Sequence, residues 1–148
     1  MNLIEIKDIN APELDVFSRL SEVQLYRYNE PDVGIFLAES ANVILRALEA
    51  GYEPLSMLVE TDRLEVEAGP VFDKIRELWG SDKLESIPIY TAESDIVTLL
   101  TGYELVRGLW MTLRRKPAVP IEEFCQGKNR ITVLYDIVNP TNVGAIIR

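Results

Sequence analysis

Four short apolar runs, each closed by glycine, proline or a helix-period segment, constrain this chain more than any other feature of its sequence. Val33 to Ala38 (VGIFLA) precedes Ser40, a candidate N-cap, and a helical face of Val43, Ile44, Ala47 and Leu48 that Gly51 stops. Pro54 to Glu60 (PLSMLVE) precedes a helix carrying Val71, Phe72, Ile75, Leu78 and Trp79, closed by Gly80. Ile87 to Tyr90 precedes a helix over residues 92–101, with Ile96, Val97, Leu99 and Leu100 inward and Gly102 at its end. Gly108 to Leu113 (GLWMTL) is the fourth strand. Ahead of these, Leu14, Phe17, Leu20, Val23 and Leu25 predict an amphipathic helix over residues 12–28, ended by Asn29-Glu30-Pro31-Asp32. The alternation predicts an α/β fold: a three-layer α/β/α sandwich with a short mixed sheet. Ala-Glu-Ser occurs at both 38–40 and 92–94, which marks shared strand-to-helix turn chemistry.

The periodicity breaks between Arg114 and Asn129 (RRKPAVPIEEFCQGKN), where prolines, a glycine and mixed charges fall together. This predicts a domain over residues 1–115, a linker over 116–129, and a last segment over 130–148. That segment reads as a strand (Ile131, Val133, Leu134, Ile137, Val138), a turn and a helix start. Such a piece is half of a βαβ unit and cannot bury both of its faces alone.

Composition excludes several classes. The 148 residues are 47% hydrophobic, so the chain is globular rather than disordered. No apolar run approaches the roughly 18 residues of a membrane span, and the start MNLIEIKDIN lacks the form of a signal peptide, so a cytoplasmic location is expected. Without histidine there is no Ser-His-Asp or Cys-His nucleophile, and no metal site is expected. Cys125 stands alone and is expected to be a partly buried linker residue.

A formal charge of -9 argues against a strongly basic nucleic-acid binder. The charge is uneven, however: Arg107, Arg114, Arg115, Lys116, Lys128 and Arg130 meet only Glu122 and Glu123 in their stretch of chain. These cations are the candidates for a confined RNA-facing surface, weighed against ordinary solvated charges. Trp79, Tyr90 and Trp110 could stack on bases, but their places in the helix and strand patterns assign them to the core.

The end of the chain carries the most particular pattern: Asp136-Ile137-Val138-Asn139-Pro140-Thr141-Asn142-Val143-Gly144-Ala145-Ile146-Ile147-Arg148. On general grounds Pro140 stiffens the loop, Asn142 can cap the helix, and Gly144 allows close backbone approach. A small α/β domain, a proline-containing linker and a strand ending D-x-V-x-[DN]-P-x-N-x-G-x-x-x-R together resemble the SpoU/TrmH-type RNA ribose 2'-O-methyltransferases. The upstream part is similar to that family's substrate-binding domain at Phe36-Leu37-Ala38-Glu39-Ser40 and Ala47-Leu48, with Ser40 standing where the family has glycine.

The resemblance implies a ribosomal-protein-like RNA-binding domain, followed by the first motif of a knotted methyltransferase domain whose other motifs do not occur here. It implies Arg148 and Asn142 as catalytic residues, with Pro140 and Gly144 shaping their loop. It implies S-adenosylmethionine as cofactor of the full-length enzyme, with none expected to bind this chain, and ribosomal or transfer RNA as substrate. A homodimer through the catalytic domain is a further implication. The contrasting expectation, suggested by the acidity, is a stand-alone non-catalytic α/β module for RNA or protein contacts.

Overall fold

The computed structural model describes residues 1–101, 108–137 and 140–147, omitting the side chains of residues 100, 101, 140 and 141. Two compact units divide the chain, Met1–Lys116 and Pro117–Arg148.

In the first unit the described strands are β1 (Asn2–Glu5), β2 (Ile35–Glu39), β3 (Pro54–Glu60), β4 (Pro88–Ala92) and β5 (Leu109–Arg114). They form one sheet in the order β1-β4-β3-β5-β2. β1, β4 and β3 run parallel, while β5 lies antiparallel to both β3 and β2, so the sheet is mixed.

Strand side chains alternate between two apolar layers. Met57, Val59, Ile89, Leu109, Met111 and Leu113 face α3 (Ala41–Glu49), α4 (Leu64–Trp79) and α5 (Ser81–Ser86), which contribute Ile44, Leu48, Val71, Ile75 and Leu84. Leu58, Ala92 and Trp110 face the other way. There they meet Leu14 of a 3-10 turn (Pro12–Leu14), Phe17 of α1 (Asp15–Ser18) and Val97 of α6 (Ser94–Thr101). Helices on both faces give the three-layer α/β/α arrangement. The core role expected of Trp110 holds, since it is buried; Tyr90 and Trp79 are partly buried against the two layers.

Several local expectations are corrected. The helix expected over residues 12–28 is broken after Ser18 and restarts as α2 (Glu22–Tyr26). Ser21 causes the restart: it caps α2 in a reciprocal capping box with Gln24, and this turns Val23 out into solvent. α4 begins two turns earlier than expected and runs through Pro70, while Leu99 of α6 is exposed instead of inward. β1 and α5 were not legible, being an exposed edge strand and a helix of one and a half turns. Gly102 lies outside the described residues.

Two turns govern how α3 is held. Its end closes as a Schellman motif, with Gly51 at φ +76, Gly51 N donating to Leu48 O and Tyr52 N donating to Ala47 O. At its start, Ser40 makes no side-chain cap; it adopts φ +73 and ψ 148, a region that ordinary residues avoid. Ser40 N donates to Leu109 O, which fixes the conformation from β5. The position therefore favours glycine on backbone grounds.

In the second unit α7 (Ile121–Cys125) lies within the expected linker, and α8 (Pro140–Ile147) follows. The strand expected over 131–138 does not form in residues 131–137, where Val133 and Tyr135 are almost fully exposed. Its apolar pattern has no neighbouring strand among the described residues to supply ladder hydrogen bonds. Val138 and Asn139 lie outside the described residues.

Ser40→Gly is expected to raise stability by about 1 kcal/mol in urea denaturation, by relieving the left-handed conformation; an unchanged or lower stability would contradict that origin. Gly34→Ala should lose about 2–3 kcal/mol. A Cβ there would stand 1.9 Å from the carbonyl oxygen of Tyr26, so α2 must move off β2.

Candidate nucleic-acid interface

The antiparallel return of β5 brings its basic end beside the starts of β2 and β3, with Arg114 opposite Ile35 and Leu113 opposite both Phe36 and Pro54. Arg114, Arg115 and Lys116 thus leave the sheet where α2, α3 and the loop before β3 converge, and each is held there.

Arg114 Nε donates to Glu53 Oε2 at 2.8 Å, and Lys83 Nζ of α5 donates to Glu53 Oε1 at 2.5 Å. Those hydrogen bonds, Lys83 first and Arg114 second, hold the Glu53 carboxyl below the ordinary glutamate range. Arg115 Nε donates to Ile35 O at 3.0 Å, and its guanidinium lies over the rings of Tyr26 (5.3 Å to the centroid) and Phe36 (5.7 Å). Phe36 meets Tyr52 edge-on at 5.0 Å. Lys116 Nζ lies 4.9 Å from the Tyr52 centroid and donates to Ala50 O at 2.5 Å, on the C-terminal end of α3 where the helix dipole favours a cation. Tyr26, Arg115, Phe36, Tyr52 and Lys116 therefore form one row of alternating ring and cation contacts.

This geometry changes the standing of the cations chosen from sequence. Arg114, Arg115 and Lys116 come together as expected, but each is engaged inside the first unit. In the second unit, Lys128 Nζ donates to Phe124 O and sits over the Phe124 ring at 4.4 Å, and Arg130 is exposed. Arg107 and Arg148 lie outside the described residues. Sequence reasoning missed the aromatic members Tyr26, Phe36 and Tyr52. The available signal was the exposed run Tyr26-Arg27-Tyr28, which the helical pattern of residues 12–28 concealed.

The motif at the end of the chain is also placed differently from expectation. Pro140 opens α8 at its first position, where its missing N–H costs nothing. Asn142 lies inside the helix as its third residue rather than capping it. Gly144 is likewise helical, and a Cβ added to it would meet nothing within 4 Å, so no close approach here requires glycine. Cys125 is half-buried as expected. Among the described residues, no group of three or more acidic, Cys or His side chains could hold a metal, and no helix is long and apolar enough to cross a membrane.

Comparison with known proteins adds what the geometry alone leaves open. No family model matches the chain. Over 154 aligned residues covering all of it, the chain is 27% identical to an uncharacterized tRNA/rRNA methyltransferase of Mycobacterium bovis, and equally so to one of Mycobacterium tuberculosis. The chain is similar to tRNA/rRNA methyltransferases along its whole length. It spans about half (48%) of those relatives. Among solved structures, an rRNA methyltransferase from Sinorhizobium meliloti matches 80% of the chain and 39% of its own length, with TM-score 0.53 and 12% identity. The AdoMet-bound structure from the same organism gives TM-score 0.52 over 78% of the chain and 38% of its own length, also at 12% identity. At such identity these structures support the α/β fold alone. The sequence relatives support the resemblance to RNA methyltransferases.

The Glu53 pair yields a signed pH dependence. The folded carboxyl titrates below its unfolded value of about 4.3, so its stabilisation is complete above that pH and fades as pH falls through the lowered folded value. Glu53→Gln should therefore be less stable than wild type at pH 7, with the gap closing toward pH 3 in urea melts. A gap of equal size at both pH values would mean that the ion pairs are not its source.

Proposed function

We propose that this chain is the RNA-recognition part of an S-adenosylmethionine-dependent RNA ribose 2'-O-methyltransferase acting on ribosomal or transfer RNA in the cytoplasm. The observation that carries this reading is the similarity of the entire chain to tRNA/rRNA methyltransferases of which it spans about half. The pattern from Asp136 to Arg148 supports it, because Asp, Pro, Asn, Gly and Arg fall at the spacing of the first motif of the SpoU/TrmH catalytic domain.

In this reading Met1–Lys116 is the substrate-binding domain, the residues after it lead out as a linker, and the segment from Arg130 opens the catalytic half, through which two enzymes pair. S-adenosylmethionine supplies an electrophilic methyl group. What this chain contributes is position: Arg148 orients the phosphate beside the target ribose, and Asn142, inside α8, supports the same site. An arginine with an ordinary pKa above about 12 orients an anion more readily than it removes a proton. The described side chains of α8 do not enclose a site for the cofactor. α8 is exposed at Asn142 and from Gly144 to Ile147, and Gly144 faces open space, which is not an enclosing cradle. In this reading cofactor binding belongs to residues outside this chain, and the chain alone is expected to be inactive.

A second reading, a stand-alone interaction module, is favoured by one observation: Arg114, Arg115 and Lys116 are engaged within an acidic domain. Calorimetry separates the two. The purified chain titrated with S-adenosylmethionine should give no binding heat, while structured ribosomal or transfer RNA should bind at low salt with an affinity that falls as salt rises. Cofactor binding would misplace the pocket, and silence toward RNA would favour the interaction module. With a relative's catalytic remainder joined after Arg148, ribose methylation should return, and Arg148→Ala should lower it at least tenfold.

A further inference from the structure

We propose that Tyr26 and Tyr28 form a stacking platform for unpaired bases of RNA, an inference that rests on the RNA-recognition reading and names its contact surface. Both tyrosines are more than half exposed, at 60% and 53%, and they flank the exposed Arg27 at the C-terminal end of α2. Large exposed rings cost hydration, and most tyrosines on a surface are free to rotate. Tyr26 is instead held from behind. The Arg115 guanidinium lies over its ring at 5.3 Å, while the same guanidinium is fixed by its hydrogen bond to Ile35 O and its contact with Phe36. The backbone beneath is equally fixed, because Gly34 packs directly on the carbonyl oxygens of Leu25 and Tyr26.

A ring already immobilised loses little further entropy when a base stacks on it. The cation behind Tyr26 also makes the platform electrostatically suited to a polyanion. Arg27, Arg115 and Lys116 bring positive charge to this end of a chain whose net charge is -9. Glu30 and Asp32, in the turn that follows, oppose that positive charge, so the stacked base rather than its phosphates must supply most of the contact. Stacking on ring faces with charge on one side is the chemistry of single-strand recognition, since within a duplex the faces of each base are covered by its stacked neighbours.

The test uses the whole 148-residue chain and a labelled single-stranded RNA of about 12 nucleotides, set beside a duplex of the same sequence, by fluorescence anisotropy at low salt. Tyr28→Ala and Tyr26→Leu are each expected to weaken single-strand binding about tenfold, and Tyr26→Phe to preserve it, because base stacking needs the ring and not the hydroxyl. Ring proton signals of both tyrosines should shift on RNA addition in the wild type. Tyr28 follows the end of α2 and is half exposed, so its variant carries the test even if Tyr26→Leu disturbs α2. Unchanged affinity in Tyr28→Ala and a folded Tyr26→Leu would overturn the platform while leaving RNA recognition standing. Equal binding of the duplex would also overturn it. No RNA binding by the wild type would overturn both the platform and the reading on which it rests.

Discussion

The antiparallel insertion of β5 between β3 and β2 is the constraint on which the rest of the first unit depends. From Leu109 to Leu113 every side chain of β5 is buried, alternately against the α3, α4 and α5 layer and against the α1 and α6 layer. A strand buried on both faces needs helices on both sides, which makes the fold a three-layer one. Its neighbour β3 is central for the same reason: Met57, Leu58 and Val59 are each almost fully buried. Because β5 runs against its neighbours, its end falls beside their beginnings. That places Arg114, Arg115 and Lys116 among Tyr26, Phe36, Tyr52 and Glu53, residues far from them in sequence. The position of the basic cluster follows from the packing of the core.

The opposite end of β5 is held by backbone fit. Gly108 O accepts from Glu60 N, and Leu109 O accepts from Ser40 N, so the start of β5 ties together the ends of β3 and β2. A Cβ at Gly108 would stand 2.6 Å from Cδ of Glu60, whose carboxylate is buried and paired with Arg63 Nε at 2.7 Å. A buried carboxylate that lost this partner would carry an uncompensated charge. The glycine and the ion pair are therefore one arrangement: the missing side chain makes the room in which Glu60 lies, and Arg63 makes that burial tolerable.

How much of this was legible follows the physics of each signal. Strands with strong two-sided burial announce themselves as apolar runs, so Pro54–Glu60 was read with its observed bounds and Leu109–Arg114 within one residue. Segments with one short apolar face do not. Asn2–Glu5 is an exposed edge that pairs only with β4, and Ser81–Ser86 buries Leu84 alone. The run from Ile131 to Ile137 shows the opposite failure, since strand propensity without a partner strand among the described residues left a largely exposed segment that forms no strand. At the candidate interface the cations were legible by type but their partners were not. Nothing local in Arg114-Arg115-Lys116 says that Glu53, Ile35 and Ala50 will meet them, because those contacts are made by topology.

That last point changes what a basic stretch means in an acidic chain. Counted along the sequence, residues 114–116 are three adjacent positive charges. In the fold, Arg114 spends its charge on Glu53, Lys116 caps the end of α3, and Arg115 stiffens two aromatic rings. Cations engaged in this way keep their long-range field, which salt screens over about 10 Å at ordinary ionic strength, but they have fewer donors left for direct phosphate contacts. In the RNA-recognition reading, affinity at this surface would come mainly from groups that the fold leaves presented and rigid. Stacking depends little on free donors, and the cation that no longer reaches out is the one that holds the Tyr26 ring in place. The internal engagement of Arg115 and the outward readiness of Tyr26 are consequences of the same contact.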